Sequence, residues 1–151
     1  MANGTNVAIF INRSILVSMR LSHILETAVY AQNLAETGNF YVKLLDQQPY
    51  HEESGHYVFF KLQEAMLLIF NPEACSGANH GIPPHGAQGP GHICFRIDEK
   101  EIEPWKKRLA ELQIPLESEH VWPNGSTSLY FRDPAGNSVE PAPWRIWNRY
   151  D

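Results

Sequence analysis

An internal repeat constrains this chain more than any other feature: the order strand, helix, three strands is read twice along its 151 residues. In the first pass, residues 24–30 (ILETAVY) are rich in strand formers. They are followed by NLAETGNFYVKLLD, in which Leu34, Thr37, Tyr41 and Leu44 recur at helical spacing. Short strand-like runs at residues 48–53, 56–62 and 65–70 come next, separated by turns at Ser54-Gly55 and near Glu64. After a segment dense in Gly, Pro, Asn and Ser (residues 71–91), the order starts again. HICFRI at residues 92–97 reads as a strand, and a helix follows with Ile102, Trp105, Leu109 and Leu112 on one stripe; Pro104 is tolerated because it falls in the first turn. The last strands are expected at residues 117–122, 127–131 and 137–142, with turns at Pro123-Asn124-Gly125 and at Asp133-Pro134-Ala135-Gly136.

The repeat predicts an α+β protein of two tandem βαβββ modules, whose curved sheets leave a cleft on the faces away from the helices. The expected divisions are a first module over residues 21–72, a connecting loop rich in Gly and Pro over 73–90, and a second module over 91–151, together one domain. Residues 1–20 read as an N-terminal tail, with an added edge strand as the alternative. Composition agrees with a packed core: 43% of residues are hydrophobic and 11% aromatic.

Side-chain alternation along a strand assigns the faces. Ile93, Phe95 and Ile97 are apolar and belong under the second helix, which turns His92, Cys94 and Arg96 toward the cleft. In the first module Leu25, Thr27 and Val29 alternate with Ile24, Glu26, Ala28 and Tyr30, so Glu26 and His92 hold equivalent places.

Charge and cysteine usage narrow the partners. A net charge of −5 without a run of Lys or Arg gives no footprint for nucleic acid. The apolar stretch at residues 7–19 is broken by Asn12, Arg13 and Ser14 and has no basic segment ahead of it, which supports neither a membrane span nor a signal peptide. Cys75 and Cys94 have no CxxC spacing, so a reducing cytoplasm is the expected compartment.

The opening ILETAVYAQNLAETGNFYVKLLD and, more specifically, the closing pair SLYFRDPAGNSVE resemble the modules of the vicinal oxygen chelate superfamily, which includes glyoxalases, bleomycin-resistance proteins and dioxygenases. The resemblance covers residues 24–145 and implies a metal ligand from the first strand of each module and one from the last strand. Matched position by position, these are Glu26, His92 and Glu140; the last strand of module one, residues 66–70, offers no side chain for a hard cation. Ligands of O, N, O character suit one divalent ion such as Mn, Fe, Ni or Zn and leave positions open for two neighbouring substrate oxygens.

The resemblance implies a glyoxalase-like lyase or isomerase acting on a small oxygen-rich molecule, with Glu140 or Glu26 as the base. The alternatives are a metal-free drug-binding protein of the bleomycin-resistance kind, a dioxygenase or a thiol transferase; fold alone does not choose among them. It also implies a homodimer, with the site either within one chain or shared between two. Tyr30, Arg96, Trp122, Tyr130 and the loop residue His85 are candidates to line a pocket, and His80 in the same loop is a further candidate. His23, His51, His56 and His120 show no spacing that points to a site.

Each ligand also has a purely structural reading. Glu26 reads as a solvated strand residue, His92 as a loop cap, and Glu140 as the partner of Arg132 or Arg145.

Overall fold

The computed structural model describes residues 21–77 and 83–150. The tail or edge strand expected at residues 1–20, and His80, lie outside these residues.

The first module runs β1 (Glu26–Tyr30), α1 (Leu34–Leu45), β2 (His51–Glu53), β3 (Tyr57–Lys61) and β4 (Met66–Phe70). The second runs β5 (His92–Ile97), a 3-10 turn at Glu99–Glu101, α3 (Ile102–Glu111), β6 (Ser118–Val121), β7 (Thr127–Arg132) and β8 (Ser138–Pro143). Each module forms a four-stranded sheet, in the order β1-β4-β3-β2 and β5-β8-β7-β6. In both, the first strand pairs with the last in parallel and the remaining pairs are antiparallel.

Local chemistry sets the helix ends. The Asn33 side chain accepts from the Glu36 N–H at 3.2 Å, which satisfies one orphan donor of the first turn of α1. Asp46 closes the helix in the left-handed region at φ 51°. Leu34, Thr37, Tyr41 and Leu44, the stripe expected from spacing, are buried. In α3 the buried residues are Ile102 and Leu109.

Two elements depart from the expectation. The connecting segment opens with α2 (Pro72–Cys75), capped by the Asn71 side chain on the Glu73 N–H at 3.0 Å with Pro72 in its first turn. A 3-10 helix at Trp144–Tyr150 follows β8. The first strand begins at Glu26, and Ile24 and Leu25 before it are exposed.

One core serves both modules. Val29, Val58, Phe60, Leu67 and Ile69 of the first sheet and Tyr41 and Leu44 of α1 pack in one cluster with Ile93, Phe131 and Val139 of the second sheet and Leu109 of α3. Each large side chain so buried contributes about 1.5–3 kcal/mol. The Phe40 ring lies 6.3 Å from that of Phe131. Tyr41 donates its hydroxyl to Asp133 Oδ2 at 3.1 Å, and Arg108 Nη2 donates to the Lys43 carbonyl at 3.1 Å. The helix-covered faces of the two sheets therefore share the interior, and the opposite faces are left for other work.

Candidate functional site

The alternation of β5 is as the sequence predicts: Ile93 and Ile97 are buried, whereas His92, Cys94 and Arg96 are exposed on the other face. In the parallel register with β8, His92 stands opposite Ser138 and Cys94 opposite Glu140. Glu140 is nevertheless only 5% exposed, because its neighbours close over it.

Both oxygens of that carboxylate are engaged. Tyr130 on β7 donates its hydroxyl to Glu140 Oε1 at 2.9 Å, and His92 Nε2 lies 3.2 Å from Glu140 Oε2. Desolvation, then the Glu140 carboxylate, pushes the Tyr130 hydroxyl up to about 12. Cys94 is exposed as a residue, yet its thiol is pushed up to about 12, first by desolvation and then by Glu140. Trp122 Nε1 donates to Ser128 Oγ at 2.8 Å, which ties the pocket-lining indole to the same sheet.

The ion pairs envisaged for Glu140 do not form. Arg132 is taken by Glu117, at 2.6 and 3.0 Å, and Arg145 by Glu99 at 3.2 Å. Nor does His92 cap its loop. That role belongs to Asn137, whose Oδ1 accepts from the Gly91 N–H at 2.7 Å.

Asn137 Nδ2 also donates to the Tyr30 carbonyl at 3.2 Å and to Asp133 Oδ2 at 2.9 Å. The turn between β7 and β8 thus fixes the residue ahead of His92 and links it to the first module.

Glu26 lies at the start of β1, exposed, opposite Met66, and its side chain makes no hydrogen bond or ion pair among the described residues. Those residues contain no group of three or more His, Cys, Asp or Glu side chains able to hold a metal ion. The structure brings His92 and Glu140 together and leaves Glu26 on the other sheet. The separation of 3.2 Å between Nε2 and Oε2 is that of an ion pair. It also suits two donors on one cation, since ligands about 2.1 Å from an ion stand about 3.0–3.4 Å apart at right or tetrahedral angles.

The pocket candidates divide between the two sheets. Trp122 and Tyr130 share an open depression of about 470 Å³ with His120, Ser118 and Arg132. Arg96 is on the same strand face as His92. Tyr30 and His85 instead line a groove of about 900 Å³ between the end of β1, α2 and the connecting segment. There the Tyr30 hydroxyl and His85 Nδ1 are 2.9 Å apart. His120 is the site-facing residue that sequence reasoning missed; it packs edge-on against Trp122 at 4.4 Å. The signal was the two-residue period of Ser118, His120 and Trp122, the same alternation that places His92 and Arg96.

Comparison with known proteins agrees with the topology. A family model described as Glyoxalase/Bleomycin resistance protein/Dioxygenase superfamily matches residues 20–140. The chain belongs to that superfamily. Among solved members of similar fold, a lactoylglutathione lyase from Agrobacterium tumefaciens is 46% identical, with a TM-score of 0.81 over 85% of this chain and 98% of that one. A glyoxalase/bleomycin resistance protein/dioxygenase from Nocardioides shares 19% identity and a TM-score of 0.67, over 85% of this chain and 87% of that one. A glyoxalase/bleomycin resistance protein from Catenulispora acidiphila shares 16% and 0.60, over 81% and 98%. The last two show the superfamily fold alone. No curated protein matches the chain. Among the described residues, no helix is long and apolar enough to cross a membrane.

Proposed function

We propose that this superfamily member is a divalent-metal-dependent lyase of the glyoxalase kind, with its site completed across a homodimer. The observation that carries the reading is the buried Glu140 carboxylate, held by Tyr130 through one oxygen and set 3.2 Å from His92 through the other. The 46% identity to a lactoylglutathione lyase structure supports the reaction class. The third ligand is Glu26 of the partner subunit, drawn from a sheet face that packs against neither helix.

A divalent ion bound there (Mn, Fe, Ni or Zn) supplies Lewis acidity to two neighbouring oxygens of a small substrate. The chain's own residues do the remainder. Tyr130 and His92 keep Glu140 in one orientation. Glu26 of the partner subunit, the ligand with no other side-chain tie, would leave the ion to take a proton from the carbon beside a carbonyl and return it to the adjacent one. Trp122 and His120 wall the space beside Tyr130.

A metal-free binding function is the second reading, favoured by the aromatic face of the first sheet. Tyr57 stacks on Phe59 at 4.2 Å, and Phe70 meets Phe59 edge-on at 5.2 Å.

Elemental mass spectrometry on untagged protein separates the two. About one ion per chain, lost in Glu140→Ala and Glu26→Gln, is expected; no uptake from Mn, Fe, Ni or Zn would leave only the binding protein. Mixing the two variants tests the sharing of the site. Random exchange should restore about a quarter of the wild-type metal if ligands come from both protomers, and none if each site lies within one chain.

A further inference from the structure

We propose that Arg96 is the anion-recognition residue of this site, and that the substrate carries a carboxylate or similar anionic group set apart from its chelating oxygens. The inference rests on the metal-site reading above and adds the substrate class.

Its first support is position. Arg96 follows His92 and Cys94 on the same exposed face of β5. It stands two residues, roughly 6.6 Å of strand, beyond Cys94, whose partner on β8 is Glu140. The partner of Arg96 itself is Ala142, whose methyl side chain offers neither charge nor hydrogen bond.

Its second support is that its side chain pairs with no anion among the described residues. Among the described residues the Arg96 side chain makes no hydrogen bond or ion pair, whereas Arg108 donates to the Lys43 carbonyl, Arg132 is held by Glu117 and Arg145 by Glu99. Arg132, the nearest cation on β7, is therefore already neutralised.

The third support is charge. The carboxylates of Glu26 and Glu140 together cancel a divalent cation, so the centre offers no net attraction to an anionic substrate. A planar, permanently charged guanidinium on the same face supplies what the centre does not, and its paired N–H groups match a carboxylate.

The test uses full-length Mn-loaded protein and two chelating probes, glutaric monohydroxamate and butanohydroxamate, which differ by a terminal carboxylate. Affinities are read by titration calorimetry. The charged probe is expected to bind about 10- to 100-fold more tightly, the effect of a charge-assisted hydrogen bond. In Arg96→Gln that preference disappears while butanohydroxamate affinity is unchanged, which also shows the variant to be folded. Arg96→Lys recovers part of the preference, because it restores the charge without the fork. Equal affinity for the two probes in the wild type, or a preference that survives in Arg96→Gln, overturns the role of Arg96 and leaves the metal site standing. Failure of both hydroxamates to bind Mn-loaded protein overturns this inference alone, whereas failure of the protein to take up Mn overturns the metal reading itself, and this inference with it.

Discussion

Tyr130 and His92 divide the Glu140 carboxylate between them: the phenol donates to Oε1 at 2.9 Å and the imidazole Nε2 lies 3.2 Å from Oε2. One oxygen is fixed and the other is presented. Tyr130→Phe should therefore weaken metal binding about 10- to 100-fold, as loss of a ligand's hydrogen-bond partner does. It should cost only about 1 kcal/mol of folding stability. Equilibrium titration with Mn beside urea denaturation reads both, and unchanged metal affinity would show that Tyr130 does not position Glu140.

Asp133 is the anchor of the turn after β7. Its Oδ1 accepts from the Ala135 and Asn137 N–H groups at 3.0 and 2.8 Å, and its Oδ2 from Tyr41 and the Asn137 side chain at 3.1 and 2.9 Å. Asp133→Ala leaves buried donors without an acceptor and should destabilise the fold by about 2–5 kcal/mol, measured by urea denaturation. Combined with Asn137→Ala, the loss should fall short of additive, since the two residues act as one network.

How much of this was legible follows the range of each interaction. Alternation gave the faces of β5, and helical spacing gave the buried stripe of α1, because both are local periodicities. His120 carries the same alternation, but its spacing singles out no site until the fold sets it against Trp122. The short helix at Pro72–Cys75 was hidden by the Gly and Pro around it, although Asn71 and Pro72 are a proper cap and first turn. The shared core, and the bond from Asn137 to the Tyr30 carbonyl, join segments far apart in the chain, and no local pattern encodes them. Glu26, His92 and Glu140 were named by resemblance, and the geometry unites only the last two.

Alkaline pH should loosen the same turn. Burial, then the charge of Asp133, holds the Tyr41 hydroxyl well above the ordinary tyrosine range. A proton bound more tightly in the folded than in the unfolded state contributes stability that is complete below the unfolded value, about 10 for tyrosine, and is lost as pH rises past it. Urea midpoints between pH 8 and 11 should fall more steeply for the wild type than for Tyr41→Phe; parallel curves would refute the assignment.

Gly91 is required by proximity. A Cβ at this position would lie 3.1 Å from Asn137 Oδ1, an atom already fixed by the Gly91 N–H. Gly91→Ala should cost about 1–3 kcal/mol of stability, since neither atom has room to yield. Because His92 is the next residue, metal affinity should fall as well. Thermal denaturation of the apo and metal-loaded forms separates the two effects: a variant whose melting temperature still rises on loading as far as the wild type's would show His92 undisturbed.

The stretch Asp133-Pro134-Ala135-Gly136-Asn137, part of the more specific motif by which this chain is matched to its kin, is bound up in securing a turn and joining the modules. Descent is thus recorded mainly in masonry, and masonry can be inherited unchanged by a lyase, an oxygenase or a drug-sequestering protein. Relatives sorted by that motif will be grouped by architecture. Sorting them by what stands at 26, 92, 96 and 140 would group them by chemistry.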